Sequence, residues 1–309
     1  MKPMPKIAVV TDDAAALPAP WLGRGGADGA RAGLQVVGMP VMVDHQIFAP
    51  SQASEEPDLA RSLLVALAEG RKVTTSRPSP GQFRRVYLQL QEQGYEAIVS
   101  VHLSAELSGT VSSARIARRG ITIPVTVVDT RTVAMAQGLG VQAAWNAAAH
   151  GADMAQVVQT ARTAAQHQVF LYVPSLEQLK RGGRLAPSVA RVGSMLQIKP
   201  LLTVQGGRLV VAETPRTAVK AKARFRALVG SALEAAISMG SGSAVGSPEP
   251  DLVVHHLADP DGAHDLVGDV TEQYAPDAVA EVVEIPPVLA AHVGIGVRAA
   301  VIRHPNLQP

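Results

Sequence analysis

The sequence contains no cysteine, which excludes disulfide bonds and every metal or redox site that depends on a thiolate. Aromatic residues make up only 3% of the chain, whereas hydrophobic residues make up 47%. A core must therefore be packed mainly from Ala, Val, Leu and Ile. Neither sign of charge dominates, because 28 basic and 26 acidic side chains give a formal net charge of +2. This balance does not indicate the clustered basic face of a nucleic-acid-binding protein.

Long apolar runs and familiar catalytic motifs are also missing. No stretch approaches the ~18 apolar residues of a membrane span, and residues 1–5 contain no apolar signal-peptide core. We therefore predict a cytoplasmic protein without a transmembrane segment. The histidines lack the spacing of a metal site. There is no Walker-type loop and no Gly-x-Ser-x-Gly elbow, and Gly138-Leu139-Gly140 lacks the third glycine of a dinucleotide-binding motif.

The order of the predicted elements indicates an α/β protein with two domains. A chain of 309 residues exceeds the usual limit for one hydrophobic core. The first half alternates short apolar runs with helical patterns, which is typical of a parallel sheet covered on both faces. The second half has long strands, few helices and a hairpin turn at Gln205-Gly206-Gly207. We predict an N-terminal parallel α/β/α sandwich over residues 1–166 and a C-terminal α+β domain over residues 167–309.

Two segments rich in hydroxyl groups fall where strands should end, which is where open α/β sheets bind ligands. Residues 74–80 can donate hydrogen bonds to an anion, but Ser79 before Pro80 favours a helix cap. Residues 101–110 join a strand to a helix N-terminus, where backbone N–H groups favour a carboxylate or phosphate. Here Ser108 is the predicted cap, and Ser104 lies at the strand end, facing either a ligand or the interior of a plain capped loop.

A third segment contains Gly182, Gly183 and Arg184, with Arg216 further along the chain. The glycines allow close approach of a ligand to the backbone. Arginine can bind a carboxylate or phosphate with two parallel hydrogen bonds, although a tight turn with a surface arginine explains the segment equally well. His292 lies in an apolar run, which by itself is more typical of a core histidine than of a ligand-binding one.

An enzyme is the main alternative from the residues alone. A hydrolase or phosphotransferase could use Ser104 or Ser108 together with His292 and Asp129. No nucleophile or nucleotide motif supports it.

The segments taken in order resemble the DegV family of bacterial fatty-acid-binding proteins. The resemblance extends from about residue 6 to about residue 303. Each motif is short and unspecific alone. The resemblance is specific because the motifs occur together in the same order as in the family. The motifs lie at residues 7–12, 74–80, 103–110, 128–130, 179–185, 197–202, 216–217 and 291–294.

The resemblance implies a two-domain carrier with a lipid tunnel that the C-terminal domain closes. Members of the family bind a long-chain fatty acid and present its carboxylate to a separate fatty acid kinase. The resulting acyl phosphate passes to a membrane acyltransferase for phospholipid synthesis. On this basis the chain is not an enzyme, has no catalytic residues, and needs no cofactor or metal beyond the bound fatty acid. A lipid-sensing regulatory protein is a further alternative.

The resemblance also implies roles for individual residues. Thr75, with its neighbour Thr74, and Ser104 match hydroxyl groups that bind the carboxylate, and His292 matches the family's histidine. Arg184 and Arg216 match arginines that we expect to serve the acyl-phosphate step or kinase docking. The sequence departs from the family pattern at three places, namely Ala105, Asp13-Ala14 and Thr214.

Overall fold

The computed structural model describes residues 6–22, 31–48, 56–185, 198–241 and 250–304. These residues form two compact units. The first holds the described residues up to Leu59 together with Thr75–Ala165, and the second holds Ala60–Thr74 and the described residues from Gln166 onward. The predicted N-terminal domain is one continuous stretch, whereas residues 60–74 group with the second unit.

The elements of the first half follow the apolar runs of the sequence. In chain order they are β1 (Ile7–Asp12), β2 (Leu34–Val37), β3 (Val41–Val43), β4 (Gln46–Phe48), α1 (Glu56–Ala68), β5 (Val73–Thr75), α2 (Pro80–Glu92), β6 (Ala97–His102), α3 (Thr110–Ala117), β7 (Val125–Asp129), α4 (Met135–Ala149) and α5 (Met154–Arg162). The run at residues 34–43 forms two strands that belong to different sheets. Gly38 and Pro40 separate these strands.

The central sheet of the first unit is parallel, with strand order β2-β1-β6-β7. β1 and β6 are buried along their whole length, which explains why their sequences are almost continuously apolar. β2 lies on one side of β1 in the sheet and β6 lies on the other, so the direction of the strand order reverses at β1. The carboxyl ends of β1 and β6 therefore flank a topological switch point, the usual place for a ligand in such a sheet.

Helices cover both faces of this sheet. Val9 and Val99 pack with Val141 of α4 and Val157 of α5. On the opposite face, the hydrophobic cluster of buried residues comprises Ala8, Val10, Val37, Phe83, Tyr87, Leu90, Tyr95, Ile98, Ala114 and Ala117. Successive side chains of a strand point to opposite faces, so each strand contributes to both layers. The predicted α/β/α sandwich is confirmed.

The helix caps test the sequence interpretation directly. Ser79 caps α2 in a capping box with Gln82, as predicted. The predicted cap at Ser108 is wrong, because α3 begins after Gly109 and has no side-chain cap. The Ser108 hydroxyl instead lies 2.8 Å from the Thr110 hydroxyl. The Ser108 hydroxyl therefore pairs with the hydroxyl of a residue two positions later, and not with a backbone N–H of the helix as a capping residue would.

The second unit is built on a mixed sheet of order β10-β9-β8-β13-β11-β12. Its elements are β8 (Gln168–Tyr172), α6 (Glu177–Arg181), β9 (Leu201–Gln205), β10 (Arg208–Glu213), α7 (Ala218–Ala236), β11 (Leu252–His256), α8 (Pro260–Tyr274), β12 (Ala280–Glu284), α9 (Pro287–Val293) and β13 (Arg298–Ile302). The β11–β12 pair is parallel and the other pairs are antiparallel. The predicted hairpin is present, with Gly206 and Gly207 in left-handed conformations.

α7 and α8 supply the apolar core of the second unit. Phe225 and Leu233 of α7 and Val270 of α8 pack with Leu252 and Ile302 of the sheet. This arrangement confirms the predicted α+β character of the second half. Among the described residues, no helix combines the length and apolar character that a bilayer crossing requires.

Candidate functional site

Polar side chains gather at the carboxyl edge of the parallel sheet in the first unit. Asp12, His102 and Asp129 are the last residues of three adjacent strands, and His102 pairs in register with Asp129. Ser104 and Thr130 follow directly, and both are fully buried. The expectation of a polar strand edge is therefore met by the fold.

Asp12 is a fully buried carboxylate. Its Oδ1 accepts hydrogen bonds from the Ala14 N–H at 3.1 Å and the Gln137 side-chain amide at 3.2 Å. Its Oδ2 lies 2.7 Å from His102 Nδ1 and 3.4 Å from the Leu103 N–H. A carboxylate without partners would be very unfavourable in this position, so these donors make its burial possible. They also tie β1, α4 and the loop after β6 together.

The hydrogen bonds continue from His102 into the core. His102 Nε2 lies 2.6 Å from Ser100 Oγ, which lies 2.7 Å from the Tyr87 hydroxyl. Burial raises the pKa of Tyr87, so this phenol stays protonated. The connectivity from Ser100 through His102 to Asp12 matches that of a hydrolase triad. However, Ser100 is fully buried and its oxygen also pairs with Tyr87, so the arrangement stabilises the core.

The hydrogen-bonded relay Tyr87–Ser100–His102–Asp12 is not evident from the sequence. Ser100 and His102 are two residues apart on one strand and therefore point to the same face. That spacing was visible in the sequence, but the partner carboxylate at Asp12 lies 90 positions away from His102.

Ser104 is held inside a turn at this strand edge. Its hydroxyl accepts a hydrogen bond from the Glu106 N–H at 3.2 Å, and its own N–H donates to the Thr132 carbonyl at 2.8 Å. Asp129 accepts from the Ala105 N–H at 3.2 Å. The sequence predicts Ser104 either facing a ligand or buried in a capped loop. The structure shows a buried serine in a hydrogen-bonded turn.

The loop after β5 meets the loop before α3. Thr74 is exposed and Thr75 is half-buried at the end of β5. The Arg77 side chain lies so close to Gly109 that a side chain at position 109 would overlap with the guanidinium group. The first two hydroxyl-rich segments predicted from the sequence therefore come together at Arg77 and Gly109.

His292 lies in the second unit, on α9, a helix that the sequence periodicity does not predict. Burial, with a smaller effect from the positive charge of Arg184, lowers the pKa of His292 to about 4. The imidazole is therefore neutral at pH 7. The Arg184 guanidinium donates to the Gly182 carbonyl, and the His292 ring lies against Gly182. The third predicted segment and the predicted histidine thus form one cluster.

Arg216 occupies a different setting. It is exposed and lies directly before α7. Thr217 caps that helix by accepting from the Lys220 N–H at 3.2 Å. Thr214 is also exposed. Gln197, the first residue of the motif at residues 197–202, lies outside the described residues.

In the described part of the chain, no group of three or more His, Asp or Glu side chains is arranged to hold a metal ion. His255 and His256 are both buried on β11. Burial lowers the pKa of His255 to about 4, and its Nδ1 lies 3.3 Å from the Val283 carbonyl.

The fold and its polar clusters define a class: a two-unit α/β protein with buried polar groups at a parallel strand edge and a neutral histidine beside an arginine. Comparison with known proteins defines the family. A family model described as "Uncharacterised protein, DegV family" matches residues 6–304. The chain belongs to the DegV family.

Relatives and solved structures agree with this assignment. The chain is 38% identical to a DegV domain-containing protein of Streptomyces coelicolor over 298 residues, covering 96% of this chain and 98% of the relative. It resembles the fatty-acid-binding DegV family protein of Thermus thermophilus, with 29% identity, a TM-score of 0.78 and coverage of 96% and 98%. A DegV structure from Streptococcus agalactiae has 24% identity, a TM-score of 0.80 and coverage of 98% and 100%, which supports the fold.

Proposed function

We propose that this protein binds a long-chain fatty acid and holds its carboxylate with hydroxyl groups and with His292. The observation that carries the proposal is the neutral, half-buried His292 beside Arg184. It occurs in a chain that matches, over 96% of its length, a Thermus thermophilus protein described as fatty acid binding. Thr74, Thr75 and Ser104 are the proposed hydroxyl ligands.

The chemistry of the proposed ligands suits a carboxylate. A carboxylate removed from water needs hydrogen-bond donors or a compensating charge. Serine and threonine hydroxyls and a neutral imidazole can each donate one hydrogen bond. The guanidinium of Arg184 supplies positive charge, since arginine stays protonated even when buried. His292 is neutral at pH 7, so its proposed contribution is a hydrogen bond and the charge comes from the arginine.

The acyl chain is expected to supply most of the affinity. About fourteen buried methylenes at ~0.8 kcal/mol each correspond to roughly 11 kcal/mol before ordering costs are subtracted. The low aromatic content of 3% fits an aliphatic lining. Because each buried methylene adds to the affinity, we expect long-chain fatty acids to bind more tightly than short-chain ones.

The proposed role extends to presenting the carboxylate to a separate fatty acid kinase and to transient contact with a membrane acyltransferase. Arg216 is proposed to contact the kinase, and its exposure directly before α7 supports a surface role. Arg184 is proposed to face the acyl phosphate. The chain itself is proposed to have no catalytic activity.

Native mass spectrometry of the freshly purified protein tests the binding proposal. We expect a mass increase of one fatty acid per chain that disappears under denaturing conditions. Organic extraction then identifies the acid. An empty protein that also fails to bind oleate and palmitate in calorimetric titrations would overturn the proposal.

Turnover assays separate the carrier from the enzyme alternative. We expect no hydrolysis of acyl esters and no ATP consumption by the isolated chain, and acyl phosphate only when a fatty acid kinase is added. Ester hydrolysis that disappears in a Ser104→Ala variant would favour the hydrolase instead.

A further inference from the structure

Two adjacent glycines after α6 have different conformations. Gly183 has a φ of +68°, in the left-handed region that favours glycine, and a Cβ there would meet nothing within 4 Å. Gly182 has φ −74° and ψ −14°, an ordinary helical conformation that every L-residue adopts. The backbone therefore explains a glycine at position 183 but not at position 182.

The space beside Gly182 explains the second glycine. A Cβ at this position would lie 2.6 Å from His292 Nδ1 and 3.2 Å from His292 Cε1. Contacts below about 3 Å are far inside the normal separation of nonbonded atoms. At a helix end with this conformation, alanine would otherwise stabilise the fold by about 0.4–1 kcal/mol. The imidazole ring occupies the volume that a side chain would need.

The same turn fixes the neighbouring cation. The Gly182 carbonyl accepts a hydrogen bond from the Arg184 guanidinium. α9, which carries His292, ends at Val293, and Gly294 directly after it has a φ of +78°. Gly182 thus positions both groups. Its lack of a side chain leaves room for the His292 imidazole, and its carbonyl binds the Arg184 guanidinium.

We propose that Gly182 is a positioning residue that seats the His292 imidazole next to Arg184 and so builds the recognition site for a carboxylate. This inference rests on the proposed fatty acid binding and deepens it. The paired groups, a neutral imidazole and a guanidinium, match the chemistry of a carboxylate or a related oxyanion.

The test compares Gly182→Ala with the matched control Gly183→Ala. The first variant introduces a methyl group against the ring without backbone strain, whereas the second introduces backbone strain without a steric contact. We expect Gly182→Ala to weaken oleate binding by about tenfold, equivalent to ~1.4 kcal/mol, with little change in melting temperature. We expect Gly183→Ala to lower the melting temperature and to leave the oleate Kd within about twofold.

A double-mutant cycle shows whether the effect acts through the histidine. In a His292→Ala background, Gly182→Ala should have no further effect on the oleate Kd, because its steric partner is gone. An equal loss of affinity in both backgrounds would overturn the inference. So would an oleate Kd that Gly182→Ala leaves unchanged in the otherwise native chain.

A ligand-free measurement separates this inference from the proposed function. NMR titration of the His292 imidazole should show its pKa moving toward the ordinary value in Gly182→Ala, because the displaced ring gains solvent and leaves Arg184. Gly183→Ala should leave the titration unchanged. If the native chain binds no fatty acid, the proposed function fails, and the titration still decides the role of Gly182. An unchanged His292 titration in Gly182→Ala would contradict the positioning role.

Discussion

At the scale of single residues, the buried charges and imidazoles depend on a few specific partners. Asp12 is fully enclosed, and its oxygens receive hydrogen bonds from two side chains and two backbone groups. His292 is kept neutral by burial and by Arg184. Substitution at either position should therefore have effects larger than those of a surface residue.

The Asp12 carboxylate should be essential for stability. Asp12→Ala removes the acceptor for His102, Gln137 and two backbone N–H groups inside the core. We expect a loss of ~3–5 kcal/mol in the free energy of unfolding, as when one partner of a buried pair is removed. Urea denaturation measures it. The control is Glu92→Ala, an exposed carboxylate on α2, which should change stability by less than ~0.5 kcal/mol. Equal effects of the two variants would contradict the structural role of Asp12.

The depressed pKa of His292 should contribute to acid sensitivity. The pKa is about 4 in the folded chain and 6.5 ordinarily, so the unfolded chain binds the proton first as the pH falls. Stability should therefore decrease between about pH 6.5 and pH 4. The contribution of His292 is on the order of 3 kcal/mol, and His167 and His255 act in the same direction.

Thermal denaturation from pH 7.5 to pH 4 tests this expectation. His292→Gln, which does not titrate, should show a shallower decrease in stability than the native chain. Parallel pH profiles for the two proteins would show that His292 contributes nothing to the acid response.

At the scale of elements, α4 packs unusually close to its neighbours through two glycines. A Cβ on Gly138 would lie 2.5 Å from the Ala15 carbonyl oxygen, and one on Gly140 would lie 2.5 Å from Ala164 Cβ. The pattern Gly138-Leu139-Gly140 lacks the third glycine of a dinucleotide-binding motif, so nucleotide binding does not account for it. The structure explains it as close packing of a helix against the turn after β1 and the segment after α5.

Gly140→Ala should therefore destabilise the protein although alanine is the better helix former. We expect a loss of ~1–3 kcal/mol from overpacking. The matched control is Gly81→Ala in α2, where an added Cβ would meet only the Ser79 hydroxyl at 3.7 Å. Higher helix propensity should make that variant more stable by up to ~1 kcal/mol. Chemical denaturation of both variants checks the opposite signs, and stabilisation by Gly140→Ala would refute the packing argument.

At the scale of the whole molecule, bound lipid should raise stability by mass action. A ligand at 100 times its Kd adds about 2.7 kcal/mol when only the folded chain binds it. Removing the fatty acid with a hydrophobic resin should lower the melting temperature, and added oleate should restore it. Octanoate at the same concentration should restore much less, since fewer methylenes are buried. A melting temperature unaffected by delipidation and by oleate would oppose the proposed function.

Much of the fold was predictable because the apolar runs are local signals. The strands of the parallel sheet and the flanking helices were predicted from periodicity, and the hairpin from Gly206 and Gly207. The helix that carries His292 was missed, since its seven residues are too short for a clear period. Gly38 and Pro40 split the run at residues 34–43, but the membership of β2 and β3 in different sheets is not readable from the sequence, because strand pairing depends on distant residues.

The sequence alone determined the alternation of strands and helices, the absence of thiol chemistry, and the segments that could meet a carboxylate. Only the tertiary structure decided which of these residues come together. It joined Arg184 to His292 across more than a hundred positions and placed Ser104 inside a turn. It also revealed the buried relay from Tyr87 to Asp12. The physical reason is that local propensity acts over a few residues, whereas burial and hydrogen bonding depend on the folded chain as a whole.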